Sequence, residues 1–171
     1  MRKVLSIGSY LFPAILGIFV AQFINIVLHP YWIIGDSMSP SYLDGECVIC
    51  SKHFTQNDLR PDNVIIFERD NKPYIKRIAA VAGDRIFYDI DSSTIYIEHP
   101  ANNKAQIYMG NVSDGGSLDV NGVVLRDGEF YCIGDNVNHS IDSRNLGAIQ
   151  FDEIKMLVKQ KIYDRGKEPS L

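Results

Sequence analysis

The chain of 171 residues is poor in cysteine and histidine and has no excess of positive charge. Its three cysteines, Cys47, Cys50 and Cys132, build no disulfide framework and complete no zinc spacing. In a strand, Cys47 and Cys50 would point to opposite faces, so all three read as buried apolar thiols. The four histidines, His29, His53, His99 and His139, show no ligand spacing, and nothing in the chain demands a metal or a nucleotide. A net charge of −4 leaves no clustered Lys and Arg surface for phosphate, which argues against a nucleic-acid partner. No internal repeat is present. What remains, 22% charged and 46% hydrophobic residues, suits one folded unit with a real core, neither disordered nor polytopic.

Charge is also missing locally. After Arg2 and Lys3, residues 4–28 carry none. A bilayer core of about 30 Å needs roughly 20 mostly apolar helical residues, and this run is long enough, with Pro13, Gln22 and Asn25 tolerable in a single span. A cleavable secretory signal would have an apolar region of only about 7 to 15 residues and a small-x-small site, which Val20-Ala21-Gln22 does not offer. An uncleaved anchor is therefore expected. No Lys or Arg follows Lys3 until Lys52, so the positive-inside rule puts the N-terminus in the cytoplasm and the rest outside, on a single-pass protein of the cell membrane. Tyr31 and Trp32 suit the membrane interface, or packing on the domain.

Beyond the anchor, short apolar or alternating runs at 47–50, 64–67, 74–81, 85–90, 94–98, 123–125, 130–133 and 154–163 predict strands. They are separated by turn signals such as Asp44-Gly45, Gly83-Asp84, Asn121-Gly122 and Asp127-Gly128. The pattern is that of a mostly β barrel or sandwich. Residues 102–119, polar and rich in Asn and Gly, read as a loop or small inserted subdomain. The expected organisation is a cytoplasmic tip and anchor over 1–30, then an extracytoplasmic β domain over 31–171 with the insertion near 99–120.

Three segments concentrate chemistry-bearing residues. In Ile34-Gly35-Asp36-Ser37-Met38-Ser39-Pro40, Gly35 permits close backbone approach and Ser37 lies where an apolar strand gives way to a turn. Most serines in such turns are merely structural. In Tyr74-Ile75-Lys76-Arg77-Ile78, two basic residues interrupt an apolar strand, and period two sends them to opposite faces. A lysine turned inward loses preference for its charged form, and its pKa can fall from about 10.4 to nearer 7, which suits a base. The plain alternative is an edge-strand lysine that discourages aggregation. The third segment, Gly134-Asp135-Asn136-Val137-Asn138-His139-Ser140-Ile141-Asp142-Ser143-Arg144, is too polar for a strand and reads as a loop held by Asx bonds and an Asp142 to Arg144 pair.

Taken together, these segments resemble the type I signal peptidases, the bacterial leader peptidases. That family joins a Ser-Met-x-Pro box, a Lys-Arg strand ending in Gly-Asp and a Gly-Asp-Asn-(x)3-Ser-x-Asp-Ser-Arg loop behind an N-terminal anchor. The resemblance covers nearly the whole chain. It implies a signal-peptidase-like β catalytic domain in which Ser37 is nucleophile, Lys76 is general base, Ser140 orients the lysine, and Asp142 and Arg144 support the loop. Gly35, Asp36 and Met38 would serve the oxyanion and the substrate; because Gly35 has no hydroxyl, a donor there must be backbone. Val137 and Ala82 depart from the family pattern, which commonly has Arg and Pro at those places.

The implied activity is a membrane-bound serine endopeptidase acting in protein secretion through an acyl-enzyme, with no cofactor. Its partners would be the lipid bilayer and secreted preproteins whose signal peptides carry small residues at the first and third positions before the cut. Other readings are a conjugative-pilus maturation peptidase with the same dyad, a self-cleaving repressor of the SOS type, and a non-catalytic anchored β domain. A Ser-His-Asp triad using His139 and Asp142 is a further alternative.

Overall fold

The computed structural model describes residues 8–27, 29–89, 91, 94–100, 104–109 and 122–163. Helix α1 (Gly8–Val27) has 20 residues and no charged side chain. Its described side chains, from Tyr10 to Phe19, are all exposed. Among the described residues no helix is long and apolar enough to cross a membrane. The expectation of a spanning anchor therefore rests on the sequence, since the α1 side chains from position 20 onward, like Arg2 and Lys3, lie outside the described residues.

The rest is mostly β, as the alternating runs required. In chain order the strands are β1 (His29–Trp32), β2 (Cys47–Ser51), β3 (Val64–Arg69), β4 (Lys72–Ala80), β5 (Arg85–Asp89) and β6 (Thr94–His99). They continue as β7 (Lys104–Met109), β8 (Val123–Val124), β9 (Glu129–Ile133), β10 (Ile149–Gln150) and β11 (Ile154–Tyr163), with a short helix α2 (Ser143–Leu146) before β10. One sheet has the order β1-β2-β11-β3-β4-β9-β10, the other β7-β6-β5-β8. Every pairing within them is antiparallel.

Tyr31 and Trp32 pack on the domain, one of the two places expected of them: both belong to β1, paired with β2, and Tyr31 lies against an apolar cluster. Two details differ from the sequence-based expectation. Part of the polar stretch 102–119 forms β7, paired along its length with β6; the remainder of that stretch lies outside the described residues. And β4 does not alternate cleanly. Its register with β9 shifts between Ile78 and Ala80, so Ala79 and Ala80 both pack in one apolar cluster. A bulge of this kind adds a residue and re-aims the side chains before it.

Burial follows the sheets. One cluster around Ile65, Phe67, Ile78, Phe130 and Cys132 fills a face of the larger sheet. A second, with Ile86, Ile95, Ile97 and Tyr131, joins the two sheets. A third, with Ile33, Met38, Val48, Ile66 and Ile75, lies beneath the segment that carries Ser37. All three cysteines are free and buried, as expected of apolar thiols. At the junction of the sheets Asp84 accepts the Val81 N–H at 2.8 Å, and His99 Nδ1 lies 2.8 Å from the same carboxylate oxygen.

Strand order is what assembles the site. β4 lies between β3 and β9, with Lys76 opposite Ile65 and Arg77 opposite Ile133. The loop that begins at Gly134 therefore leaves β9 beside Lys76, and β1, through Ile33, delivers the Ser37 turn over the same end.

Candidate active site

Ser37 follows β1 in a tight turn closed by Ser39 N–H to Asp36 O at 3.0 Å and Tyr42 N–H to Met38 O at 2.9 Å. Gly35 enters that turn at φ +88°, a conformation that a side chain would strain. The Lys76 side chain reaches Ser37 from β4, with 2.6 Å between Nζ and Oγ. A second contact, Nζ donating to Ile75 O at 2.6 Å, fixes the amine from the other side. Lys76 is only 2% exposed. Burial pushes its pKa down from 10.5 to about 8; Asp142, Cys132 and Asp135 oppose that fall, and Arg144 assists it. A neutral amine that donates to Ile75 O keeps its lone pair for the serine hydroxyl.

The third segment supports this pair from behind. Asp142, 0% exposed, accepts from Arg144 Nε and a terminal Arg144 nitrogen, both at 2.8 Å, and from the Gly134 N–H at 2.9 Å. Ser143 Oγ takes the Cys132 N–H at 2.9 Å, pinning α2 to β9. Asn136 crosses to the Ser37 turn, its N–H donating to Ser37 O at 3.0 Å and its side-chain amide to Asp36 O at 3.1 Å. Gly134 makes that approach possible: a Cβ there would stand 2.2 Å from Ser140 Oγ and 2.5 Å from Ser37 O. Its requirement is steric, which the Gly-Asp-Asn pattern marks without explaining.

The sequence-predicted residues do not all take their expected places. Ser140 comes close to Gly134, but its hydroxyl makes no bond to Lys76 and has no partner among the described residues. The Ile75 carbonyl orients the amine in its stead. Met38 is 0% exposed and packs in the core beneath the turn, offering no surface to a substrate. The Gly35 N–H, expected as an oxyanion donor, already donates to Asp44 Oδ1 at 2.8 Å. Asp36 is exposed and does line the cleft. His139 is also on the cleft wall, yet Asp142, its partner in the alternative triad, is taken up by Arg144.

Sequence alone marks Arg77 only as the neighbour of Lys76. It forms a two-pronged pair with Asp135, at 2.9 and 2.6 Å, and donates to Asp62 O at 2.9 Å, so it holds the start of the Gly134 loop. Arg69 holds its end, bonding Glu153 through two nitrogens and the carbonyls of Leu146 and Ala148. In front of Ser37 and Lys76 lies a cleft of about 400 Å³ whose apolar walls include Tyr31, Ile34, Tyr74, Ile75 and Ile141. Among the described residues no cluster of three or more His, Cys, Asp or Glu could hold a metal ion.

Because Asp142 has no access to water, Arg144→Ala strands a buried carboxylate. Losing one partner of such a pair costs about 3–5 kcal/mol. The variant should show a clearly lower melting temperature than one altered at exposed Arg126, and equal melting of the two would remove the supporting role.

Residues 5–162 match the family described as signal peptidase, peptidase S26. Signal peptidase IB of Staphylococcus aureus (strain COL) is 30% identical over 151 residues, covering 80% of this chain and 79% of the relative. Signal peptidase I P of Bacillus subtilis subsp. natto is 28% identical over 143 residues, covering 77% and 74%. A crystal structure of a signal peptidase I from Enterococcus faecalis V583 overlays with a TM-score of 0.41 at 16% identity, over 58% of this chain and 96% of that one, too loosely to assign any residue. The extent of the family match, with a relative at that identity along most of both chains, places this protein in the signal peptidase family, peptidase S26, as a type I signal peptidase and serine endopeptidase.

Proposed function

We propose that the chain removes signal peptides from exported preproteins by acyl transfer, with Ser37 as nucleophile and Lys76 as general base. The observation that carries this reading is the 2.6 Å approach of Nζ to Oγ by a lysine that is only 2% exposed. Neutral Lys76 takes the hydroxyl proton as Oγ bonds the scissile carbonyl carbon, giving a tetrahedral oxyanion. The Ser37 N–H, which no acceptor takes among the described residues, would be the donor that stabilises that charge. A second donor at Gly35 would first have to leave Asp44. The Lys76 ammonium then protonates the leaving amine as the C–N bond breaks, and Ser37 keeps the acyl group as an ester. Lys76, neutral again, takes a proton from water as that water attacks the ester, and Ser37 is released with its proton restored. The apolar walls of the cleft suit small apolar side chains at the first and third positions before the cut.

The same reading makes α1 a single-pass anchor with the catalytic domain outside the cytoplasm. Its support is a 20-residue helix without charge, about 30 Å long at 1.5 Å per residue, with basic residues ahead of it in the sequence. Protease added to cells with a permeabilised outer envelope should digest the region after Trp32, and protection of that region would defeat this topology.

The dyad is tested with purified protein in detergent and a precursor bearing a signal peptide, with the product N-terminus read by mass. Ser37→Ala and Lys76→Ala should each abolish cleavage, and so should Lys76→Arg, because a guanidinium gives up no proton near neutral pH. His139→Ala should keep most of it. The neutral amine is the active form, so kcat/KM should fall about tenfold per pH unit below a midpoint near 8 and level off above it. Substantial cleavage by Lys76→Ala, with loss in His139→Ala, would show that the base is assigned wrongly here.

A further inference from the structure

Glu46 is a fully buried carboxylate, 0% exposed, to which the reaction gives no role. It sits between the two arms of the turn that carries Ser37. On the near arm its backbone pairs with β1's continuation: Ile33 N–H donates to Glu46 O at 2.8 Å, and Gly45 N–H to Ile33 O at 2.9 Å. On the far arm its side chain accepts the Leu43 N–H at 2.9 Å. The buried charge is met by Lys161, whose Nζ lies 2.6 Å from Glu46 Oε2 and donates to Ser41 O at 2.9 Å. Lys161 also stands 5.1 Å over the Tyr42 ring, within the range of a cation–π contact.

Lys161 belongs to β11, at the position opposite Val48, just before the register with β2 shifts. One lysine from a central strand thus reaches the Ser41 carbonyl, the Tyr42 ring and the carboxylate that bonds Leu43, three consecutive residues closing the nucleophile turn. The hydrogen bonds that shape that turn are donated by Ser39, just upstream, and by Tyr42 itself.

We propose that Glu46 and Lys161 are positioning residues that clamp the Ser37 turn to the larger sheet and hold Oγ in line with the Lys76 amine. This rests on the dyad reading above. The clamp acts on the nucleophile's place and not on the base, because neither residue touches Lys76. Its loss should therefore lower turnover without shifting the titration of Lys76 or the affinity for substrate. Displacement of a reacting atom by about 1 Å can cost on the order of a hundredfold in rate, so even partial release of the turn should be visible.

The experiment compares Lys161→Met, Lys161→Arg and the neutral double variant Glu46→Gln/Lys161→Met with the full-length wild type in detergent. Lys161→Met takes the Lys161 cation from a buried carboxylate, so it can fail to fold; the double variant removes both charges, while the amide oxygen that Glu46→Gln introduces still accepts the Leu43 N–H. Lys161→Met, or the double variant if the single one is unfolded, should lose about tenfold or more in kcat with KM within about twofold and an unchanged pH midpoint. Lys161→Arg should stay close to wild type. Hydrogen exchange at Ser39 and Tyr42 should quicken in the variant lacking Lys161 and not in Lys161→Arg. Wild-type kcat alongside a lower melting temperature would overturn the proposal and leave the pair a structural one. A rise in KM alone, or exchange unchanged at the turn, would overturn it as well. Exchange needs no turnover, so an inactive wild type would refute the dyad reading while the clamp was still judged on exchange.

Discussion

The buried amine of Lys76 is the constraint around which this domain is arranged. Moving its pKa from 10.5 to about 8 corresponds to roughly 3 kcal/mol of penalty on the protonated form. Desolvation is the cause, so the lowered pKa lasts only while β4 stays packed between β3 and β9. A carboxylate bonded directly to Nζ would favour the charge and undo the shift. Asp142, the acidic group that most opposes the fall, is bonded instead to Arg144, and that guanidinium partly offsets its effect on the lysine. The carboxylate thus keeps its structural use without a direct bond to the amine.

The Ser37 turn is held by a different set of forces. Core packing of Ile33 and Met38 fixes the turn from below, and Asn136 bonds it from the side. Close approach of the Gly134 loop requires a residue without a side chain. Paired charges secure the flanks: Arg77 with Asp135, Arg69 with Glu153, Arg144 with Asp142. Two-pronged guanidinium contacts fix direction as well as distance, which suits loops that must present one atom accurately. The result is a rigid rear wall and an open, apolar front.

Much of this was legible in the sequence because polar residues stand out against apolar surroundings. Lys76 interrupting an apolar strand, Ser37 at a strand end and Asp142 near Arg144 each announce a local environment that period two or a turn can place. The strands were legible for the same reason, as alternating runs bounded by turn dipeptides. Other features depend on which strands become neighbours. Glu46 and Lys161 meet only because β11 pairs with β2, and Arg77 meets Asp135 only because β9 pairs with β4. The hydrogen bond expected between Lys76 and Ser140 is made instead to a backbone carbonyl, Ile75 O, which has no signature in sequence. Strand β7 is obscured by the Asn- and Gly-rich residues on either side of its short apolar run, and the bulge in β4 by a shift of register that alternation does not encode.

If burial leaves the Lys76 amine largely neutral just above pH 8, the lysine itself can report it. Carbon-13 NMR of side-chain-labelled lysine in the detergent-solubilised protein, with the Lys76 signal assigned by its absence from Lys76→Arg, follows its titration directly. The expected midpoint for that one resonance is near 8. A midpoint at the ordinary lysine value of about 10.4 would contradict this mechanism, because the amine would then be an ammonium throughout the working range and no base at all.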